Sequence, residues 1–119
     1  MKITTHALDV YSGKPARGLK VDAYFISDKR NLIKSITLNE DGRSDEPMVD
    51  KIKAGNYELV FYVGTYFKKI IQLKKPPFLD KVPVNFVVSN ENENFHIPLI
   101  FSPFYFSSYR GSWCQLLTQ

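Results

Sequence analysis

The stretch FHIPLIFSPFYFSSYRGS, residues 95–112, decides how the rest of the chain is interpreted. Every second residue from Phe95 to Phe101 is large and apolar, which predicts a strand with one buried face. A Ser-Pro corner follows, and a second strand is predicted over about 104–109. His96 therefore lies on the face of the first strand that points away from the apolar core.

The second strand repeats this division between an apolar face and a polar face. Phe104 and Phe106 are predicted to share one face, while Tyr109 lies on the other, followed by residues 110–112. Two interpretations are open at this point, because outer sheet faces are normally polar. Either His96 and its neighbours form an ordinary solvated surface, or they form a functional site.

Composition limits the classes of protein to which the chain can belong. Its 119 residues suit one domain, and its hydrophobic content of 44% predicts a folded protein. No apolar run approaches the roughly 18 residues of a membrane span. The N-terminal segment shows no signal-peptide pattern, and the single Cys114 cannot form an internal disulfide. We therefore expect a cytoplasmic protein that does not bind membranes.

The formal net charge of +4 raises the question of nucleic-acid binding. The lysines are scattered, with only short pairs such as Lys68-Lys69, and no long basic run is present. Solvated lysines on strand and helix faces explain this distribution better than a nucleic-acid interface does. No nucleic-acid partner is expected.

The rest of the chain shows mostly the two-residue period of strands. One segment differs, because its apolar residues are spaced by three and four, which predicts a short helix at about 65–73 with Thr65 as its cap. The strands are predicted at about 2–10, 19–25, 32–38, 57–63 and 82–88, with a short edge strand at 47–53. This count predicts an all-β sandwich of two antiparallel sheets.

Three segments carry a resemblance to a known family. They are THALDVYSGKPA at 5–16, the turn Asp41-Gly42-Arg43, and the closing stretch 95–112 with its YRGS tetrapeptide. Together they resemble the 5-hydroxyisourate hydrolases, the enzymatic branch of the transthyretin-like family. The resemblance implies two four-stranded antiparallel sheets with one short helix. It also implies a homotetramer whose sites lie at subunit interfaces along a central channel.

The same resemblance implies an activity and a set of site residues. The reaction is hydrolysis of 5-hydroxyisourate, an oxidised purine, to 2-oxo-4-hydroxy-4-carboxy-5-ureidoimidazoline, without a cofactor or a metal. The implied roles are catalysis by His6, Arg43, His96 and Ser112, substrate binding by His6, Arg43 and Tyr109, and interface or site support by Arg110 and Gly111. Histidine transfers protons near neutral pH, and arginine offers a planar fork of donors to carbonyl edges.

The domain is expected to span 1–112, with an apolar extension at 113–119 beyond it. Two placements of this extension are open, over the channel mouth or on a neighbouring subunit, and we favour the second. Two other classes of function are open: a small-ligand carrier of the transthyretin kind, and a structural sandwich domain. A passive apolar pocket needs no histidine pair, which favours the enzyme. Metal binding is disfavoured, because His6 and His96 have no third ligand in a recognisable spacing.

Overall fold

The architecture is a sandwich of two four-stranded sheets with one helix, in a computed structural model that describes residues 1–73 and 75–111. The elements are β1 Ile3–Asp9, β2 Lys14–Pro15, β3 Lys20–Ile26, β4 Arg30–Thr37, β5 Gly55–Phe61, α1 Val63–Ile71, β6 Val82–Val88, β7 Phe95–Phe101 and β8 Phe106–Ser108. Ser112 and the predicted extension 113–119 lie outside the described residues. In the described part of the chain, no helix is long and apolar enough to cross a membrane.

The predicted two-layer sandwich is confirmed, with one correction to the strand directions. One sheet has the order β4-β3-β5-β6 and is antiparallel throughout. The other has the order β2-β1-β7-β8, and its central strands β1 and β7 run parallel. This sheet is therefore mixed and not wholly antiparallel. A two-residue period shows which face of a strand is buried, but it carries no information on strand direction.

The helix begins and ends two residues earlier than predicted. Its N-cap is Tyr62, which makes no side-chain capping hydrogen bond, so the prediction that Thr65 caps the helix is wrong. The Gly64 amide donates to the Asp80 carbonyl at 2.7 Å instead, because the start of α1 packs against the segment that follows the helix. The helix ends at Ile71, and its C-cap Gln72 adopts a left-handed backbone conformation with φ of 47°.

The predicted edge strand at 47–53 is also wrong. The segment forms one isolated antiparallel bridge, between Val49 and Ile3, and no continuous ladder among the described residues. Pro47 has no amide hydrogen to donate, which limits how far a ladder can extend on that side.

The closing strand is shorter and more exposed than predicted. β8 pairs with β7 over three residues only, and Phe104 and Phe106 are 71% and 41% exposed. The predicted inner face of this strand therefore does not reach the core. The preceding strand β7 follows its prediction, with Phe95, Ile97 and Leu99 all buried.

A buried carboxylate connects the first strand to the helix. Asp9 is fully buried and accepts hydrogen bonds from the amides of Tyr11 and Ser12 and from the hydroxyl of Tyr66. Burial, together with the bond to this carboxylate, raises the pKa of Tyr66. Asp9 is part of the opening signature, but its contacts assign it to the fold: it holds the turn after β1 against α1.

Candidate active site

The two histidines of the chain form one hydrogen-bonded pair. His6 Nδ1 lies 2.6 Å from His96 Nε2, and the rings stack with centroids 4.8 Å apart and planes inclined by 16°. The other ring nitrogen of His96, Nδ1, lies 2.8 Å from the hydroxyl of Thr4. Both nitrogens of His96 are thus engaged, and a continuous chain of polar atoms runs from Thr4 through His96 to His6.

The parallel pairing of β1 and β7 creates this arrangement. The register places Thr4 opposite His96 and His6 opposite Pro98. Thr4, His6 and His96 all point away from the core, since their neighbours Ile3, Thr5 and Ile97 are buried on its side. Side chains on one face of adjacent strands are within contact distance. His6, which lies opposite Pro98, therefore reaches diagonally to His96, two residues before Pro98 on β7.

Arg43 is brought to the pair by a turn that needs glycine. Gly42 has a φ of 71°, and a Cβ there would lie 2.6 Å from the carbonyl oxygen of Ala7. The Ala7 amide donates to the Gly42 carbonyl at 2.9 Å, and Arg43 forms a single antiparallel bridge to His6. Asn39 holds the turn, because its side-chain oxygen accepts from the Arg43 amide. The Asp-Gly-Arg sequence thus places a permanent cation beside the histidines.

The surroundings keep both rings neutral. Burial, followed by the positive charge of Arg43, lowers the pKa of His6 below its ordinary value. Burial, followed by the charges of His6 and Arg43, lowers the pKa of His96 to about 4. His96 is only 7% exposed although it lies on the outer face, which the sequence did not indicate. Neutral imidazoles at pH 7 can accept a proton, as a general base must.

Gly111 closes the site from the side of the YRGS tetrapeptide. Its amide donates to the His96 carbonyl at 2.7 Å. A Cβ at this position would lie 2.8 Å from His96 Cδ2 and 3.3 Å from a side-chain carbon of Pro98. The absence of a side chain therefore lets the backbone pack directly on the imidazole ring and restrict its position.

The other residues of the tetrapeptide lie elsewhere in the single chain. Arg110 stacks its guanidinium on the ring of Phe95 at 4.2 Å and lies 3.7 Å from a carboxylate oxygen of Glu93. Tyr109 follows the end of β8 and lines a cavity of about 350 Å³ beside β6. Among the described residues, neither hydrogen-bonds to the histidine pair. Ser112, the remaining predicted site residue, lies outside the described part of the chain.

Thr4 is the site residue that the sequence interpretation missed. The signal for it was present, because Thr4 lies two residues before His6 and therefore on the same strand face. Within residues 1–73 and 75–111, no three His, Cys, Asp or Glu side chains lie close enough to bind a metal ion. The chemistry that these side chains offer is proton transfer by the histidines and stabilisation of negative charge by Arg43.

Fold and site together define a class: a transthyretin-like sandwich whose outer sheet face carries a neutral histidine pair and an arginine. The chain belongs to the HIUase/Transthyretin family, whose model matches residues 3–111. Among curated proteins, it is 43% identical over 115 residues to "5-hydroxyisourate hydrolase 2" of Rhizobium meliloti, covering 93% of this chain and 96% of that protein.

Solved structures place the chain in the same family. The structure of Klebsiella pneumoniae 5-hydroxyisourate hydrolase matches with a TM-score of 0.79 and 26% identity, over 94% of this chain and all of that one. A crystal structure of (S)-allantoin synthase matches with a TM-score of 0.85 and 34% identity. That match covers 93% of this chain but only 43% of the synthase chain, so this protein corresponds to a part of the synthase.

Proposed function

We propose that the protein hydrolyses 5-hydroxyisourate to 2-oxo-4-hydroxy-4-carboxy-5-ureidoimidazoline. The observation that carries the proposal is the neutral His6–His96 pair beside Arg43, in a chain that matches a relative named for this activity over 93% of its length. A carrier needs shape and apolar surface, whereas this face offers proton acceptors and a cation. The non-enzymatic carrier is thus the weaker alternative.

The reaction requires one water molecule and a proton that is taken up and returned. His6 accepts a proton from water while the oxygen attacks the carbonyl carbon of the cyclic amide. Arg43 stabilises the oxyanion that forms, since its guanidinium is a fixed source of donors and charge. The C–N bond then breaks, and the departing nitrogen receives the proton held by the imidazolium. The ring opens to a carboxylic acid, which loses its remaining proton to solvent near neutral pH, so atoms and charge balance without a cofactor.

The remaining assignments rest on the sequence. Tyr109 and Ser112 are proposed as substrate contacts because they belong to the YRGS tetrapeptide, and Arg110 and Gly111 as support for the interface or the site. The contact of Gly111 with His96 supports its assignment, and the ion pair of Arg110 with Glu93 disfavours a direct role in substrate binding. The functional domain is proposed to span 1–112.

We further propose a homotetramer with its sites at subunit interfaces, acting in the cytoplasm. In the part of the chain that the structure describes, β6 and β8 lie at sheet edges with one partner strand each, and such edges favour pairing with a second chain. Large apolar side chains are exposed on or beside them, including Val87 at 65% and Tyr109 at 56%. The cytoplasmic assignment is supported by the single cysteine, which cannot form an internal disulfide.

Turnover distinguishes the enzyme from the carrier. Substrate is made freshly with urate oxidase and offered in at least a hundredfold excess over protein, and its absorbance is followed. The proposal predicts complete consumption, much faster than the spontaneous decay. A carrier would bind at most one molecule per site and leave the decay of the excess unchanged, which would refute the proposal.

The pH dependence of kcat/KM should reflect the lowered pKa values of the histidines. The base must be neutral, and the pair titrates as a unit below the ordinary value of 6.5 because burial and Arg43 disfavour its protonation. We expect the rate to be flat from pH 8 to below pH 6.5 and to fall only as pH drops through the lowered pKa. An acid limb centred above pH 6.5 would show that the pair is not the base.

Gly111→Ala should reduce kcat without a comparable loss of stability. The new Cβ would lie 2.8 Å from the His96 ring, which must shift. Displacement of a catalytic group by about 1 Å can cost a hundredfold, so we expect a loss on the order of ten- to a hundredfold. Gly13→Ala is the control: it has nothing within 4 Å but a φ of 76°, so stability should fall while kcat is retained. Equal kcat values for the two variants would contradict the role of Gly111.

A further inference from the structure

We propose that Thr4 is a positioning residue that holds His96 and His6 in the tautomer with the lone pair on His6 Nε2. The inference deepens the proposed function, since it specifies which atom of the pair acts as the base. It starts from the 2.8 Å contact between Thr4 Oγ1 and His96 Nδ1 and the 2.6 Å contact between His96 Nε2 and His6 Nδ1.

Only two proton arrangements satisfy both contacts when the rings are neutral. A neutral imidazole carries one N–H and one acceptor nitrogen, so the position of the hydrogen on His96 fixes its position on His6. If His96 Nδ1–H donates to Thr4, then His96 Nε2 accepts from His6 Nδ1–H, and His6 Nε2 has a free lone pair. If Thr4 instead donates to His96 Nδ1, His96 carries its hydrogen on Nε2 and donates it to His6 Nδ1. His6 then carries its own hydrogen on Nε2. Only the first arrangement presents a base.

The charge of Arg43 selects the first arrangement. Arg43 lies beside both rings, and a guanidinium has donors but no acceptor. A positive charge next to the pair favours an outer nitrogen that carries a lone pair and disfavours one that carries a hydrogen. The Thr4 hydroxyl stabilises the Nδ1–H tautomer of His96, because it accepts the hydrogen bond from Nδ1–H. Thr4 is half-buried, so its own hydrogen can be donated to water.

Removing the hydroxyl should reverse the preference. In Thr4→Val the shape and the strand propensity are kept, but Nδ1–H of the mostly buried His96 loses the hydroxyl that accepts from it. An unsatisfied buried N–H is tolerated less often than an unsatisfied acceptor. The proton of His96 therefore moves to Nε2, and His6 is left with its hydrogen on the nitrogen that should receive one from water. Thr4→Ser keeps the hydroxyl and should preserve the original arrangement.

A neighbouring threonine gives a matched control. Thr5 lies on the opposite face of β1, is 2% exposed, and donates to the Ile97 carbonyl at 2.6 Å. Thr5→Val removes one buried hydroxyl from the same strand by the same chemical change. It should lower the stability of the fold without changing the protonation of either histidine.

The experiment is nitrogen-15 NMR of the protein labelled at histidine, which reports the tautomer of each ring without substrate. The chain has only two histidines, so the spectrum is simple to assign. In the wild type, in Thr4→Ser and in Thr5→Val we expect both rings to be protonated at Nδ1 near pH 7.5. In Thr4→Val we expect protonation at Nε2. A wild-type His96 protonated at Nε2, or a tautomer unchanged in Thr4→Val, overturns the proposal.

Kinetics then connects the tautomer to catalysis. A general base contributes on the order of 10²- to 10⁴-fold, and loss of its preferred tautomer should remove part of this. We expect Thr4→Val to lower kcat by ~10- to 100-fold with KM nearly unchanged, and Thr4→Ser to restore most of the loss. An unchanged kcat despite a changed tautomer overturns the positioning role. If the tautomers respond as expected but the wild type does not hydrolyse 5-hydroxyisourate, the proposed function fails while the tautomer assignment holds.

Discussion

Replacing His6 by asparagine is expected to lower kcat by on the order of 10²- to 10⁴-fold, the usual contribution of a general base. Asparagine places a polar atom near the position of Nδ1, so the contact with His96 Nε2 can be kept. It has no atom at the position of Nε2, so the proposed base is removed. His6 is half-buried and lies outside the core, and the thermal unfolding temperature should change little.

His96→Asn should also inactivate the protein, but with a different signature. Asparagine retains a partner for Thr4 near the position of Nδ1 and loses the contact with His6. Because His96 is almost fully buried, we expect some loss of stability in addition to the loss of kcat. Near-wild-type turnover in a folded His6→Asn variant would refute the assignment of His6 as the base. Unfolding of both variants would instead indicate that the pair serves the fold.

Replacing Arg43 by glutamine is expected to have the second-largest effect. Loss of one group that stabilises an oxyanion costs on the order of 10²- to 10³-fold in kcat. The same change should move the acid limb of the pH–rate profile to higher pH, because the positive charge of Arg43 lowers the pKa values of His6 and His96. Arg43→Lys keeps the charge, so it should keep the position of the limb while losing the planar fork of donors.

Arg17→Gln is the control for this substitution. It removes the same charge from an exposed arginine, whose only ion pair in the described part of the chain is a long one to Glu40 at 3.8 Å. Surface pairs of this kind contribute little, so neither kcat nor the pH profile should change. If Arg17→Gln and Arg43→Gln moved the acid limb equally, the shift would be an effect of net charge and not of the local site.

The sequence predicted those parts of the fold that depend on local pattern. β6 and β7 have the predicted bounds, because each carries apolar residues at every second position. β6 lies at the edge of its sheet, where Pro83, which has no amide hydrogen to donate, is tolerated in a strand. The proximity of His6, Arg43 and His96 was also predicted, but from family signatures, since nothing in their spacing along the chain brings them together.

The features that the sequence did not predict depend on tertiary contacts. The parallel pairing of β1 with β7, and with it the Thr4–His96–His6 chain, is set by how distant strands meet. The burial of His96 on an outer face depends on Gly111 packing against it. Phe104 is exposed although it continues an apolar pattern, because β8 pairs over three residues only. Local periodicity contains no information on any of these contacts.

The most direct test of the account is the initial rate at which freshly made 5-hydroxyisourate disappears, measured with the wild type and with His6→Asn at equal protein concentrations. We expect a rate far above spontaneous decay with the wild type, and a rate close to spontaneous decay with the folded variant. Two results would contradict it: a wild type no faster than buffer alone, or a His6→Asn variant as fast as the wild type.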